Sequence, residues 1–175
     1  MPIDTEDNII NRNDNVANND CPKPADYEQP YVAKWDLYVG TSKACGRYLA
    51  SRIGIDNANE IILELCPVNI LEKQNVVEFN RVVQVSDNLY SSSVSKCEYN
   101  NFICHSCEPN CTLEILPDYT VLVRSTRRIA AHESLCIDYN ETEWDMIEQG
   151  VDFHCQCGTP SCRQWIRGKR YLINK

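Results

Sequence analysis

Long apolar runs are missing from this sequence. No stretch approaches the roughly 18–20 uninterrupted apolar residues that span a bilayer, and the opening MPIDTEDNII has neither the basic start nor the apolar run of an export signal. The expectation is a soluble chain inside the cell, in cytoplasm or nucleus, with no membrane partner. Glycine is scarce, six in 175 residues, and neither common nucleotide-binding glycine motif occurs. Internal repeats are absent and helical periodicity is weak. Positive charge is also short: 17 Lys and Arg against 25 Asp and Glu give a net charge of −8. A polyanion finds little to hold, so direct binding to nucleic acid is not expected.

The acidity is uneven. Residues 1–29 hold Asp4, Glu6, Asp7, Asp14, Asp20, Asp26 and Glu28 against Arg12 and Lys23, a balance of 2 − 7 = −5, which leaves −3 for the rest. Residues 1–25 are also rich in Asn and end at Cys21-Pro22-Lys23-Pro24. Residues 1–30 therefore read as a disordered acidic leader. The remainder is one ordinary domain in length, and an apolar fraction of 43% is enough for a core.

After residue 31 the pattern is of short strands between turns. Trp35–Val39 alternates, and Gly40 to Gly46 breaks the run. Glu60–Leu65, Val76–Phe79, Val82–Val85, Thr112–Leu116, Thr120–Val123 and Ser134–Tyr139 are further strand candidates, with Pro117-Asp118 as a hairpin turn. Glu141–Glu148 is the best helical stretch. The expected class is mostly β, built of small sheets.

Eleven cysteines are present, an odd count that argues for reduced thiols. Three of them crowd together in Cys155-Gln156-Cys157-Gly158-Thr159-Pro160-Ser161-Cys162, a polar, turn-rich stretch with little core to bury them in. Turns of this kind bring sulfurs to tetrahedral positions around zinc. A structural site needs a fourth ligand, and the other dense thiol segment is Cys104-His105-Ser106-Cys107-Glu108-Pro109-Asn110-Cys111. Spacing leaves Cys104, Cys107, Cys111, His105 and His154 all open, although His154 fits better beside a site than in one.

Read together, three segments resemble the SET-domain methyltransferase family with its post-SET zinc segment. Asn101-Phe102-Ile103-Cys104-His105-Ser106-Cys107-Glu108-Pro109-Asn110 is similar to the family's F-[IM]-N-H-S-C-x-P-N signature. Ile129 to Tyr139 is similar to its I-x-x-G-E-E-L-x-x-D-Y block, and Cys155-x-Cys157-Gly158-(x3)-Cys162-Arg163 with Ile166 to its zinc-binding tail. The resemblance covers about residues 32–175, in the manner of small stand-alone fungal proteins. It implies a β-clip of small curved sheets with a pseudoknot, a SET-like domain over residues 31–145 and a post-SET zinc segment over 146–175.

The same resemblance implies transfer of a methyl group from S-adenosylmethionine to a protein lysine threaded through a channel from the opposite face. Tyr139 takes the place of the tyrosine that orients the amine, and Cys107, Cys155, Cys157 and Cys162 become the zinc ligands. Gly46, Arg47, Tyr48, Cys104, His105 and Trp165 are the candidate cofactor contacts. Three positions depart from the pattern. Cys104 replaces an Asn, and a thiol lacks an amide's paired donor and acceptor. The glycine loop reads Ala44-Cys45-Gly46-Arg47-Tyr48-Leu49-Ala50, and His132-Glu133-Ser134-Leu135 stands for Gly-Glu-Glu-Leu. Since two departures fall in the cofactor pocket, the alternative is a zinc-stabilised scaffold that no longer methylates, serving as a binding module or acting on a small molecule such as a secondary metabolite.

Smaller signals remain. The acids Glu141, Glu143, Asp145, Glu148 and Asp152 could draw a basic peptide or simply be solvated. Arg163, Arg167, Lys169, Arg170 and Lys175 could pair with them internally. Tyr90, Trp144, Trp165 and Tyr171 are aromatic candidates for a channel or a lid.

Overall fold

A computed structural model describes residues 9–10, 30–43, 46–92 and 98–172. Apart from Ile9–Ile10 and Pro30, the expected leader lies outside the described residues, as do Ala44 and Cys45 of the glycine loop. In chain order the strands are β1 (Ile9–Ile10), β2 (Leu37–Ser42), β3 (Gly46–Ser51), β4 (Ile61–Leu65), β5 (Asn69–Glu72), β6 (Val83–Gln84) and β7 (Leu89–Ser92). They continue with β8 (Cys104–His105), β9 (Cys111–Ile115), β10 (Val121–Ser125), β11 (Cys136–Ile137), β12 (Phe153–His154) and β13 (Trp165–Ile166). Two short α-helices, α1 (Pro30–Lys34) and α2 (Tyr139–Thr142), and four 3-10 turns complete the regular structure among the described residues. The fold is mostly β in small sheets: β1-β5-β7-β6, β4-β10-β9, and the pairs β2-β3, β8-β11 and β12-β13.

The main core sits where β4, β9 and β10 meet the β2-β3 hairpin. Leu49, Ile55, Ile62, Leu63, Val123, Ile129 and Leu135 are all fully buried there. Burying each such side chain is worth about 1.5–3 kcal/mol. The β9–β10 hairpin turns at Pro117-Asp118 as its sequence suggests. Leu116 N–H bonds Thr120 O at 2.9 Å, and the Asp118 carboxylate accepts from the Thr120 backbone and hydroxyl.

That hairpin separates β8 from β11 along the chain, yet the two pair in parallel, Cys104 with Cys136 and His105 with Ile137. A parallel pairing of this kind requires a crossover connection. A buried amide locks it. Asn110 Nδ2 donates to Glu133 Oε1 and Ser134 O, while its Oδ1 accepts from Cys136 N–H at 2.8 Å.

Two stretches differ from the sequence reading. Val76–Phe79 is not a strand: it runs between two 3-10 turns, Lys73–Asn75 and Phe79–Arg81, and leaves Val77 94% exposed. β-branched residues favour a strand only when a neighbour covers them. Glu141–Glu148 is not a helix either, since helical structure ends at Thr142. The C-terminal tail takes the following backbone groups instead: Lys169 N–H bonds Glu143 O, Arg170 N–H bonds Trp144 O, and Met146 N–H bonds Arg167 O, at 2.8, 3.0 and 2.8 Å.

Gly168 makes that docking possible. Its φ is +105°, and a Cβ there would lie 2.6 Å from Trp144 O, closer than real side chains approach a backbone oxygen. Beside it, buried Asn140 accepts the N–H groups of Arg167 and Gly168 at 3.0 and 2.8 Å. The acidic stretch is largely engaged: Asp145 pairs with Arg170 and Glu148 with Lys73. Among the described residues no helix is long and apolar enough to cross a membrane.

Candidate functional site

Tyr139 joins the two halves of the site. It opens α2, capped by the Asp138 carboxylate accepting from Asn140 N–H, and it packs against both the main core and a smaller cluster of Met146, Cys155 and Ile166. Its hydroxyl donates to Ile103 O at 2.6 Å, and its ring lies 5.4 Å from His105 and 6.1 Å from Phe153.

Two cavities meet at this ring. One, of about 490 Å³, is lined by Arg47, Cys104, His105 and Cys136 together with Gln156 and Cys157 of the tail. The other, of about 400 Å³, opens among Leu65, Phe79, Arg81, Leu113 and Glu143. Asn101, Ile103, Tyr139 and Phe153 line both cavities. A further cavity of about 530 Å³ along β9 reaches neither Tyr139 nor the C-terminal thiols.

His105 is fixed by its surroundings. Its side chain is 3% exposed, Nδ1 accepts Tyr139 N–H at 3.2 Å, and Nε2 stands 3.4 Å from Cys107 Sγ. Burial lowers its pKa to about 4, so the ring is neutral at physiological pH. With Nδ1 accepting, the proton sits on Nε2 and points at the Cys107 sulfur.

The sulfur atoms of Cys107, Cys155, Cys157 and Cys162 all lie within 4.8 Å of one another. Cys107 and Cys155 are 3.9 Å apart, close to the roughly 3.8 Å edge of a tetrahedron with 2.3 Å metal–sulfur bonds. Backbone N–H groups already address these sulfurs, Cys157 to Cys155 Sγ at 3.4 Å and Arg163 to Cys107 Sγ at 3.3 Å. Burial pushes the Cys107 and Cys155 thiols up. Against that same push, the Thr159 hydroxyl and backbone N–H groups bring Cys157 down to about 6. Donor type, number and spacing therefore fit a metal ion. Arg163 ties the cluster to the site by bonding Asp138 Oδ2 at 2.5 Å. The described cysteines include seven free thiols, whereas Cys66 is disulfide-bonded, a correction to the expectation of wholly reduced cysteines.

The expected cofactor contacts divide. Arg47, Cys104 and His105 line the 490 Å³ cavity; Gly46, Tyr48 and Trp165 do not. Alternation along β3 explains Tyr48, whose ring lies across Gly40 of the paired strand. Trp165 is 46% exposed and stands edge-on to His154 at 5.6 Å. Arg47 lays its guanidinium over Phe102 at 4.0 Å, and the Cys104 thiol contacts Arg47 O at 3.9 Å. Cys136, Asn110 and Asn140 were not anticipated as site residues, and Glu143 was noted only within the acidic stretch that could draw a basic peptide. Asn110 stood in a quoted motif, but its partners, like those of Asn140, come from distant segments and carry no local signal.

Comparisons with known proteins agree with this geometry. A family model described as SET domain matches residues 3–140. Over 168 residues the chain is 27% identical to the Saccharomyces cerevisiae histone-lysine N-methyltransferase, H3 lysine-4 specific, covering 94% of this chain and 15% of that protein. Histone-lysine N-methyltransferase trr of Drosophila melanogaster is 35% identical over 68 residues, which are 37% of this chain and 3% of that one. The chain thus spans a small part of these relatives. The crystal structure of KRYPTONITE in complex with mCHG DNA and SAH superposes with a TM-score of 0.61 at 22% identity, covering 74% of this chain and 28% of that chain. With the family model matching most of the sequence and the same fold recurring among solved structures, the chain belongs to the SET domain family.

Proposed function

We propose that the protein is an S-adenosylmethionine-dependent methyltransferase acting on a lysine of another protein. The observation that carries this reading is that Tyr139 lines two cavities, one beside Cys104 and His105 and the other beside Glu143. Cofactor on the Cys104 side and lysine on the Glu143 side would approach each other in line at its ring. The bound cofactor supplies an electrophilic methyl group on a sulfonium. Tyr139, with its hydroxyl held by Ile103 O, and the backbone carbonyls around it orient the amine and stabilise charge as it develops. His105, neutral and immobile, supports the Tyr139 backbone.

Zinc is the metal we assign to Cys107, Cys155, Cys157 and Cys162, in a structural role: all four positions are filled by thiolates, which leaves none for a substrate. The relatives' names make histone H3 the first acceptor to test, and with it a nuclear location. Calorimetry with S-adenosylmethionine should give one binding site, and Tyr139→Phe should cut methyl transfer to recombinant histone H3 by at least tenfold. No heat and no thermal shift at millimolar cofactor would instead leave a SET-like scaffold that binds a partner or acts on a small molecule. The observation favouring that second reading is the Cys104 thiol, where an amide is expected, beside the Arg47–Phe102 stack in the cofactor-side cavity.

A further inference from the structure

The cavity on the Glu143 side receives a charged group if the acceptor is lysine, yet its walls hold little to meet one. Among its described lining residues the titratable side chains are Arg81, Tyr139 and Glu143. Arg81 is turned to the surface, 68% exposed and paired with Glu78 at 2.7 Å. Glu143 is thus the one acid on that wall. It closes the turn that Tyr139 opens, its N–H bonding Tyr139 O at 3.1 Å. Glu143 is the extended C-cap of α2, and its side chain lines the same cavity as the Tyr139 ring.

The Glu143 carboxyl is held from two sides. Oε1 accepts Gln84 N–H and Oε2 accepts Gln149 Nε2, each at 3.2 Å, and the same Gln149 nitrogen donates to Tyr90 OH at 2.8 Å. Burial nonetheless raises its pKa to about 7, which suits a group that takes and gives a proton near neutrality. Glu143 also lines a shallow outer cleft of about 240 Å³ with Asp87, Glu141, Trp144 and Lys169. The side chain therefore lies between the inner cavity and the surface. The charged and titratable neighbours are Tyr90 from β7, Arg81 from the 3-10 turn, Glu141 on α2, Asp87 and Lys169 across the cleft, and Glu148, which is occupied by Lys73 at 2.6 Å.

We infer that Glu143 binds the ammonium of the incoming lysine and removes its proton ahead of methyl transfer. This rests on the methyltransferase reading above. The carboxylate takes one proton from the –NH₃⁺ group and leaves a neutral amine. The amine lone pair forms the new N–C bond while the C–S bond breaks and its electrons return to sulfur, which becomes a neutral thioether. The methylated product carries the positive charge, and the proton on Glu143 departs to water through the outer cleft.

The test is the pH profile of kcat/KM for methylation of recombinant histone H3, with cofactor affinity measured by calorimetry. Wild type should rise to a plateau with an inflection near pH 7. Glu143→Gln should lose about 100-fold at pH 7, lose that inflection, recover toward pH 10 as lysine ionises unaided, and bind the cofactor unchanged. Glu143→Asp should restore part of the inflection. A Glu143→Gln enzyme that keeps the wild-type profile, or loses rate equally at every pH, overturns the proposal. A second readout needs neither turnover nor a variant: the Glu143 carboxyl, followed by carbon NMR in the wild-type protein, should titrate lower when a lysine-containing histone H3 tail peptide is bound. An unmoved titration in the presence of bound peptide overturns the proposal too. If wild type neither binds cofactor nor methylates, the methyltransferase reading is what has failed, and the peptide-induced shift still decides whether Glu143 captures an ammonium.

Discussion

Leu63 and Cys155 mark the centres of two regions held together by different means. Around Leu63 a continuous apolar core draws on β2, β3, β4, β10 and the loops through Ile55 and Ile129. Around Cys155 the buried cluster is only Met146, Cys155 and Ile166, and the segment is fastened by point contacts: Arg163 on Asp138, Arg170 on Asp145, and the Asn140 amide on the Arg167–Gly168 backbone. Hydrophobic burial is spread over many atoms and survives local damage. Four sulfurs and a few polar joints do not, so the tail should come and go as a unit while the sheets persist.

The sharpest way to break this contrast is to chelate the zinc proposed for the four thiols. Structural zinc contributes on the order of 10 kcal/mol to small sites, so chelation should expose the amides of residues 146–172 to hydrogen exchange while Leu63 and Val123 stay protected. Equal exchange in β4 and β10 would show that the regions are one cooperative unit. The reciprocal experiment is Leu63→Ala. It should cost about 2–5 kcal/mol by urea denaturation and leave the metal content of the folded fraction at wild-type level.

A third probe sits at the junction. The pKa of Glu143 is raised from 4.5 in the unfolded chain to about 7 in the folded one. The folded state thus binds the extra proton, and stability falls as pH climbs from 4.5 through 7, by up to roughly 3 kcal/mol. Glu143→Gln should flatten that decline, with a higher melting temperature than wild type at pH 8 and none of the gain at pH 4.5. The amide it introduces can donate to Gln149 Oε1, which is buried without a partner.

The smallest effect is expected in the main region. His132 has φ of +66°, at the position where the family pattern has Gly, and its ring meets Tyr38 OH at 3.1 Å. His132→Gly should relieve left-handed strain and add less than about 1 kcal/mol, readable as a shift in urea midpoint.

Sequence reading reached some of this and missed the rest for physical reasons. The Cys155–Cys162 trio was legible because metal-ligand spacing is local. The fourth sulfur, Cys107, came only through family resemblance, since nothing in spacing separates it from Cys104 or Cys111. The Pro117-Asp118 hairpin was legible because turn chemistry is local too. Val76–Phe79 was misread because β-branched content says nothing about whether a neighbour will cover Val77. The stretch after Thr142 was misread because its hydrogen-bond partners lie some 25 residues later in the tail. The pairing of Arg170 with Asp145 was legible from charge complementarity between the acidic stretch and the basic tail, whereas Lys73, the partner of Glu148, comes from a distant element with no local signal.

Gly168 carries a consequence for how this chain can vary. Between Gln156 and Ser161 the tail is a half-exposed loop held at separate points, Thr159 on the Cys157 sulfur and Ser161 on Glu108. At Gly168 even one methyl group would act as a wedge against Trp144 O, levering the last residues off Asn140 and loosening the Arg170–Asp145 grip. The docking of the last residues therefore hangs on one position: an alanine there would mimic truncation of the chain while leaving all four thiols in the sequence.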